Sequence, residues 1–133
     1  MNTTDALKKF KKIAVIGFSP NPERASNSIT KYLKKSGYTV YGVNPGHGGK
    51  TIEGIACYAK LSDIEDKIEI VNVFRNPSAL PELIDEIIAL SYKPAVIWTQ
   101  IGVVNREAKD KALMHGYEYI EDKCIYVEHK LYM

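Results

Sequence analysis

Four short apolar runs, rich in β-branched residues, recur along the chain. They are "KIAVIG" (Lys12–Gly17), "YTVYGV" (Tyr38–Val43), "EIVNVF" (Glu69–Phe74) and "PAVIW" (Pro94–Trp98). Side chains alternate across a strand, so a run apolar at consecutive positions must be covered on both faces. Segments of helical period separate the runs. Arg24–Ser36 places Ala25, Ile29, Tyr32 and Leu33 on one face and stops at Gly37. Asn76-Pro77 is a helix-start signal, and Leu80, Leu83, Ile84, Ile87 and Ile88 come after it with the strongest amphipathic pattern in the chain. Val104–Gly116 is a third helix, carrying Ala108, Ala112 and Leu113, and Tyr117–Ile120 is a last strand. Ile52–Leu61 is ambiguous, with a short strand as one reading. Ser62-x-x-Glu65 has the form of a capping box and predicts a short helix, and Cys124–Met133 reads as a tail. Strands alternating with helices predict an α/β fold, a Rossmann-like doubly wound parallel sheet in a single domain over residues 12–133. A polar helix or arm over residues 1–11 precedes it.

Charge and cysteine content narrow the function classes. A net charge of +2 with no basic block argues against nucleic-acid or membrane binding by bulk electrostatics. Cys57 and Cys124 form no CxxC pair with the scattered histidines, so neither a zinc site nor a disulfide framework is expected. Met1–Phe10 has no apolar signal core, and no run approaches the roughly 20 residues of a membrane span. The expected compartment is the cytoplasm.

In an open parallel sheet the ligand lies outside the carboxyl ends of the strands. Four segments adjoin those ends: Gly17-Phe18-Ser19-Pro20, Asn44-Pro45-Gly46-His47, Phe74-Arg75-Asn76-Pro77 and Thr99-Gln100-Ile101-Gly102. They are expected to converge on one crevice. The second continues into Gly48-Gly49-Lys50-Thr51, which ends like a P-loop. A P-loop needs GxxxxGK[ST] with a helix at once. Here Asn44 stands at the first glycine position, and Gly54 interrupts the segment after Thr51. The dinucleotide fingerprint G-x-G-x-x-G fails too: only Gly17 is present, and Val43-Asn44-Pro45 offers no acid for a ribose. NAD is disfavoured, while NADP stays open through His47 or Lys50. The first turn still suits an anion, with Ser19, Ser26, Ser28, the fork of Arg24 and a helix N-terminus. Simple helix capping by these Ser and Asn residues is the alternative.

The ordered set "AVIGFSPNPERAS" (14–26), "YGVNPGHGGKTIEGIACYAKLSDI" (41–64), "VNVFRNP" (71–77), "IWTQIGVVNREA" (97–108) and "DKCIYVEH" (122–129) resembles the single-domain CoA-binding proteins. These are related to the CoA-binding domain of the succinyl-CoA synthetase α subunit. The resemblance implies coenzyme A or an acyl-CoA as ligand. It implies that Gly17, Phe18, Ser19, Pro20 and Arg24 hold phosphates, and that Asn44, Pro45, Gly46 and His47 lie along the adenosine end. Phe74 and Arg75 would flank the adenine or the pantetheine arm, with Gln100 and Gly102 on the opposite wall. His47 stands where the synthetase domain has a lysine, so charge assistance would depend on pH near the usual histidine range or pass to Lys50. Arg75 also reads simply as a solvated arginine beyond a strand. Cys124 is a possible partner for the CoA thiol; a packed, half-buried cysteine is the other reading.

The synthetase's second domain, with its phosphorylated histidine, has no counterpart in these 133 residues. His115 suits a helix-end cap, Glu121-Asp122 suits a solvated turn, and no catalytic or metal constellation emerges. The expectation is a CoA-binding module, more a binder than an enzyme. Alternatives are an NADP-dependent oxidoreductase or the CoA-binding half of a two-chain acyl-CoA ligase. The aromatic tail Tyr126–Met133 would pack on its own domain or on a twin in a homodimer.

Overall fold

The computed structural model describes residues 1–133. The elements run α1 (Thr3–Lys9), β1 (Lys12–Ile16), α2 (Ala25–Lys35), β2 (Thr39–Val43), β3 (Thr51–Ile52), β4 (Ile55–Tyr58), β5 (Ile70–Val73), α3 (Leu80–Ile88), β6 (Val96–Thr99), α4 (Arg106–Met114), β7 (Glu118–Ile120) and α5 (Ile125–Tyr132). One seven-stranded sheet has the order β3-β4-β2-β1-β5-β6-β7. All pairings are parallel except β3 with β4. The order reverses between β1 and β5, so the chain winds outward in both directions from the centre. This is the doubly wound, Rossmann-like α/β fold.

The four apolar runs are buried on both faces, as their composition requires. One face packs Ile13, Val15, Phe18 and Trp98 against Leu7, Leu33 and Ile125 of α1, α2 and α5. The other packs Ile16, Val71 and Val73 against Leu83, Ile84, Ile87, Ala108 and Ala112 of α3 and α4. The fully buried Trp98 keeps its indole satisfied by donating from Nε1 to the Lys123 carbonyl (2.8 Å).

Three segments differ from the sequence reading. The ambiguous stretch 52–61 contributes a true strand, β4, parallel to β2, with β3 folded back on it. Glu53 (φ 50°) and Gly54 (φ 81°) make the two-residue turn between them, the left-handed pair that suits a hairpin's twist. Ser62-x-x-Glu65 starts no α-helix; residues Leu61–Asp63 form a single 3-10 turn with Lys60 at its cap position. The chain must then return along the sheet to β5. An extended strand rises about 3.3 Å per residue against about 1.5 Å for a helix, so extended chain covers that distance in few residues. The tail is helical. α5 lies on α2 through Tyr126, which meets Tyr32 edge-on (4.6 Å), and through His129, which meets Tyr32 (5.3 Å) and Tyr38 (5.6 Å). The 1–11 segment carries α1, capped by Asn2 Oδ1 accepting the Asp5 N–H (2.8 Å), with Ala6 and Leu7 fully buried. No helix is long and apolar enough to cross a membrane.

This packing can be tested at two residues. Gly17 has φ +85°, and a Cβ there would sit 2.1 Å from the Phe74 carbonyl oxygen. Gly17→Ala is therefore expected to lower stability by about 3 kcal/mol in urea unfolding, and an unchanged midpoint would contradict the close approach. His129 accepts or donates at Nδ1 opposite the Tyr32 hydroxyl (2.7 Å), and burial, aided by Lys11, pushes its pKa below 6.5. The unfolded chain then takes up the proton first. Stability is full above about 6.5 and is lost as pH falls through the lower folded value. The thermal midpoint should drop more between pH 7 and 5 in the unmodified chain than in His129→Asn; equal drops would contradict the assignment.

Candidate functional site

The carboxyl edge of the sheet is assembled around β1 and β5. Gly17 lets the loop after β1 pass against the loop after β5, where any side chain would strike Phe74. Phe18 turns its ring into the core and presents only its backbone: its N–H donates to the Val43 carbonyl (3.3 Å). Its carbonyl accepts from Asn44 Nδ2 (2.9 Å), while Asn44 Oδ1 accepts the Gly46 N–H (3.0 Å). One side chain thus fastens the loop after β2 to the loop after β1 and shapes the 3-10 turn Pro45–His47.

Ser19 is held on three sides. Its N–H donates to Ser26 Oγ (3.0 Å), its carbonyl accepts from Asn27 Nδ2 (2.9 Å), and its Oγ accepts the Asn21 N–H (3.1 Å). The hydroxyl hydrogen of Ser19 is left free to donate. Ser26 is spent on the loop rather than on capping; the cap position of α2 belongs to Arg24, which makes no side-chain cap bond. No acidic residue lies in the first turn of α2, and Lys34 and Lys35 lie in its last turn. The positive end of the helix dipole faces the loop with no acidic side chain inside the first turn; the exposed Glu23 stands just before the cap. Asn27 is fully buried, and its Oδ1 has no partner, a burial that costs about 1–3 kcal/mol.

A cavity of about 300 Å³ opens beside this edge, lined by Ile16, Val43, Pro45, Ala59, Lys60, Leu61, Arg75, Leu83 and Glu86. Its floor is apolar and its rim carries two cations and one carboxylate. Of the sequence candidates, Pro45 and Arg75 line it directly. Phe74 and Arg75 leave their strand on opposite sides: Phe74 packs toward α2 and α5, and Arg75 faces the cavity. His47 is half-buried, and Pro20, Arg24, Gly46 and Lys50 are exposed.

Gln100 and Gly102 do not line this cavity. Gln100 is buried, with Oε1 accepting from Asn72 Nδ2 (3.2 Å) and from the Ile125 N–H (2.9 Å), so only its NH2 group is uncommitted. The Gly102 N–H donates to Asp122 Oδ1 (2.7 Å). Cys124 is a half-buried free thiol at the cap position of α5, packed against the core. Lys60, Ala59 and Leu61 were not legible as site residues, because the loop they form comes after β4, the strand the sequence left ambiguous. Gly48 brings this loop in: a Cβ on it would meet Ala59 at 2.9 Å.

The cations at this edge are unpaired. Arg24, Lys50, Lys60 and Arg75 form no side-chain ion pair, and neither does the His47 ring. Elsewhere Lys12, Lys31, Lys109 and Lys111 are bound to carboxylates at 2.7–3.2 Å. Three larger hollows have different chemistry: one of about 370 Å³ mixes Arg106 and Lys109 with Asp110 and Glu121. One of about 480 Å³ beside α1, β7 and α5 mixes Lys109 and Lys123 with Glu121 and Glu128. One of about 620 Å³ is lined by Asp63, Glu65 and Asp66 with Tyr41 and Tyr58, and would repel an anion. The Asp66 carboxylate, held below its usual range by Lys12 and Tyr41, stays charged there. No three His, Cys, Asp or Glu side chains gather as metal ligands. Thr51 opens a strand, so no helix starts after Gly49-Lys50-Thr51.

The arrangement is that of a Rossmann-like module whose carboxyl edge is cationic and carries an apolar cavity. The family model described as CoA binding domain matches residues 11–130, and the chain belongs to that family. An uncharacterized protein of Bacillus subtilis, YneT, is 37% identical over 128 residues, covering 94% of this chain and 90% of its own length. An ADP-forming acetate–CoA ligase of Methanocaldococcus jannaschii is 30% identical over 111 residues, 80% of this chain but only 16% of the ligase. A ligase of the same type from Archaeoglobus fulgidus is 26% identical over 86% of this chain and 18% of its own length. Among solved structures, one from Thermus thermophilus superposes with a TM-score of 0.92 at 34% identity, with full coverage of both chains. A hypothetical protein from Pyrococcus horikoshii OT3 gives 0.88 at 38%, covering 98% of this chain and 91% of that one.

Proposed function

We propose that this chain binds coenzyme A, free or acylated, at the carboxyl edge of its sheet. The observation that carries the reading is the gathering of unpaired cations around an apolar cavity at that edge. CoA is a polyanion with a flat adenine, and it needs both. The adenosine end enters the cavity between Val43-Asn44-Pro45 and Arg75, with Leu61 and Leu83 beneath it. Its 3′-phosphate meets Arg75, Lys60 and His47. The pyrophosphate lies over Gly17–Pro20, within reach of the Ser19 hydroxyl, the first turn of α2 and Arg24. His47 takes the place of the family's lysine and adds charge only when protonated. The pantetheine arm leads away past Phe74 toward the free amide of Gln100 and the Gly102 turn.

A second reading has its own support. The acetate–CoA ligases align with this chain over a small part of their length, so the chain also suits the CoA-binding half of a ligase completed by another chain. Co-purification of a stoichiometric ATP-binding partner would favour that reading; a chain that purifies alone and binds CoA favours a free-standing binder.

A ligand melt tests the reading. CoA at a hundred times its Kd stabilises the folded state by about 2.7 kcal/mol, which for a chain of this size raises the midpoint by roughly 10 °C. NADP and ATP are expected to shift it far less. Arg24→Ala and Arg75→Ala should each weaken CoA binding about tenfold, and Lys67→Ala, at the opposite edge, less than about twofold. Stabilisation by NADP alone, or equal effects of all three substitutions, would contradict the reading.

A further inference from the structure

We infer that Glu53, at the tip of the β3–β4 hairpin, is a positioning residue for the phosphate loop after β1, acting through Asn27. The inference rests on the CoA reading above and assigns a role that the binding loops themselves do not include. Glu53 Oε2 accepts from Asn27 Nδ2 (3.2 Å), and the same NH2 group donates to the Ser19 carbonyl (2.9 Å). Both donor hydrogens of Asn27 are thereby committed, one to the hairpin and one to the loop. Asn27 is fully buried and its Oδ1 is left without a partner. The side chain is thus oriented by its two donor bonds alone.

The hairpin is drawn onto α2 by two further contacts. Lys31 Nζ donates to both Glu53 carboxylate oxygens (3.2 Å each), and Lys34 Nζ donates to the Gly54 carbonyl. The Asn27 bond and then Lys31 hold the Glu53 carboxyl below its usual range, so it stays charged through neutral pH. Glu53 carries this load from a left-handed backbone (φ 50°) that a glycine would adopt without strain. The hairpin is continuous with the loop after β2 through Lys50 and Thr51. The two ligand loops are consequently tied twice: at their bases by Asn44 to the Phe18 carbonyl, and at their outer ends by Glu53 through Asn27 to the Ser19 carbonyl. Ser19 is the residue whose hydroxyl is free to donate, so fixing its backbone fixes that donor.

The test is calorimetric titration of the full chain with CoA. Glu53→Ala is expected to raise the dissociation constant about fivefold, the effect of one lost hydrogen bond. Glu53→Gly, which relaxes the turn but also lacks the acceptor, should lose as much. Glu53→Gln keeps an acceptor for Asn27 and should stay within about twofold, as should Lys31→Ala, which removes only the exposed ion pair. In the double variant Glu53→Ala with Asn27→Ala, the loss should match that of Asn27→Ala alone. Unchanged affinity in both Glu53→Ala and Glu53→Gly would overturn the inference and leave the CoA reading standing. A weakened Lys31→Ala with an equally weakened Glu53→Gln would replace it with a plain charge effect. Absence of CoA binding by the unmodified chain would overturn both.

Discussion

The backbone of β1 leaves the sheet against the backbone of the loop after β5, with room for no side chain between them. That contact, Gly17 on the Phe74 carbonyl, lies where the strand order reverses. The loops after β1 and β5 therefore share one edge instead of diverging around two side chains. The buried ring of Phe18 anchors one loop, and Asn44 then fastens the loop after β2 to its carbonyl. Everything proposed about ligand binding depends on these three loops being held together before any ligand arrives, since a pre-organised site does not lose its own freedom on binding.

For a polyanion such as the proposed ligand, charge distinguishes one hollow from another. Most buried or half-buried polar groups are paired off within the protein, and Lys12, Lys31, Lys34, Lys93, Lys109 and Lys111 on the flanks find carboxylates or carbonyls. The cations of the carboxyl edge do not, and the dipole of α2 points the same way. The acid-lined hollow under Tyr41 and Tyr58 is larger yet has the wrong sign for a polyanion. On the proposed CoA reading, sign and shape together, rather than size, favour the smaller cavity beside Pro45 and Arg75.

Much of this was legible in the sequence. The four apolar runs are strands because their residues are apolar on both faces, and Asn76-Pro77 with the leucine–isoleucine stripe placed α3. The loops after those strands follow from topology alone, and the family resemblance carried by segments 14–26, 41–64, 71–77, 97–108 and 122–129 agrees with the match over residues 11–130. The features that escaped have physical causes. β4 is short and partly exposed, with only Ile55 and Cys57 buried, so it lacks the continuous apolar run of a central strand. Losing β4 hid the loop beyond it and with it Lys60. The helix α5 buries Ile125 and half-buries Tyr126 and His129, a stripe of aromatic and polar-tipped side chains that hydropathy does not register. Phe18 and Gln100 sit at loop positions yet turn inward, because loop membership does not say which side a side chain takes.

The proposed CoA site lies at the carboxyl edge, between the loops after β1, β2, β4 and β5. Amide resonances of the isotope-labelled chain, tracked by NMR during titration with CoA, test it most directly. Shifts are expected to concentrate at Gly17, Ser19, Ala25, Gly46, His47, Lys60, Leu61 and Arg75, with Lys11, Thr39, Lys67 and Ala95 at the opposite edge unmoved. Shifts centred instead on Thr3, Tyr119, Glu121 and Tyr132, or no shifts at all, would contradict it.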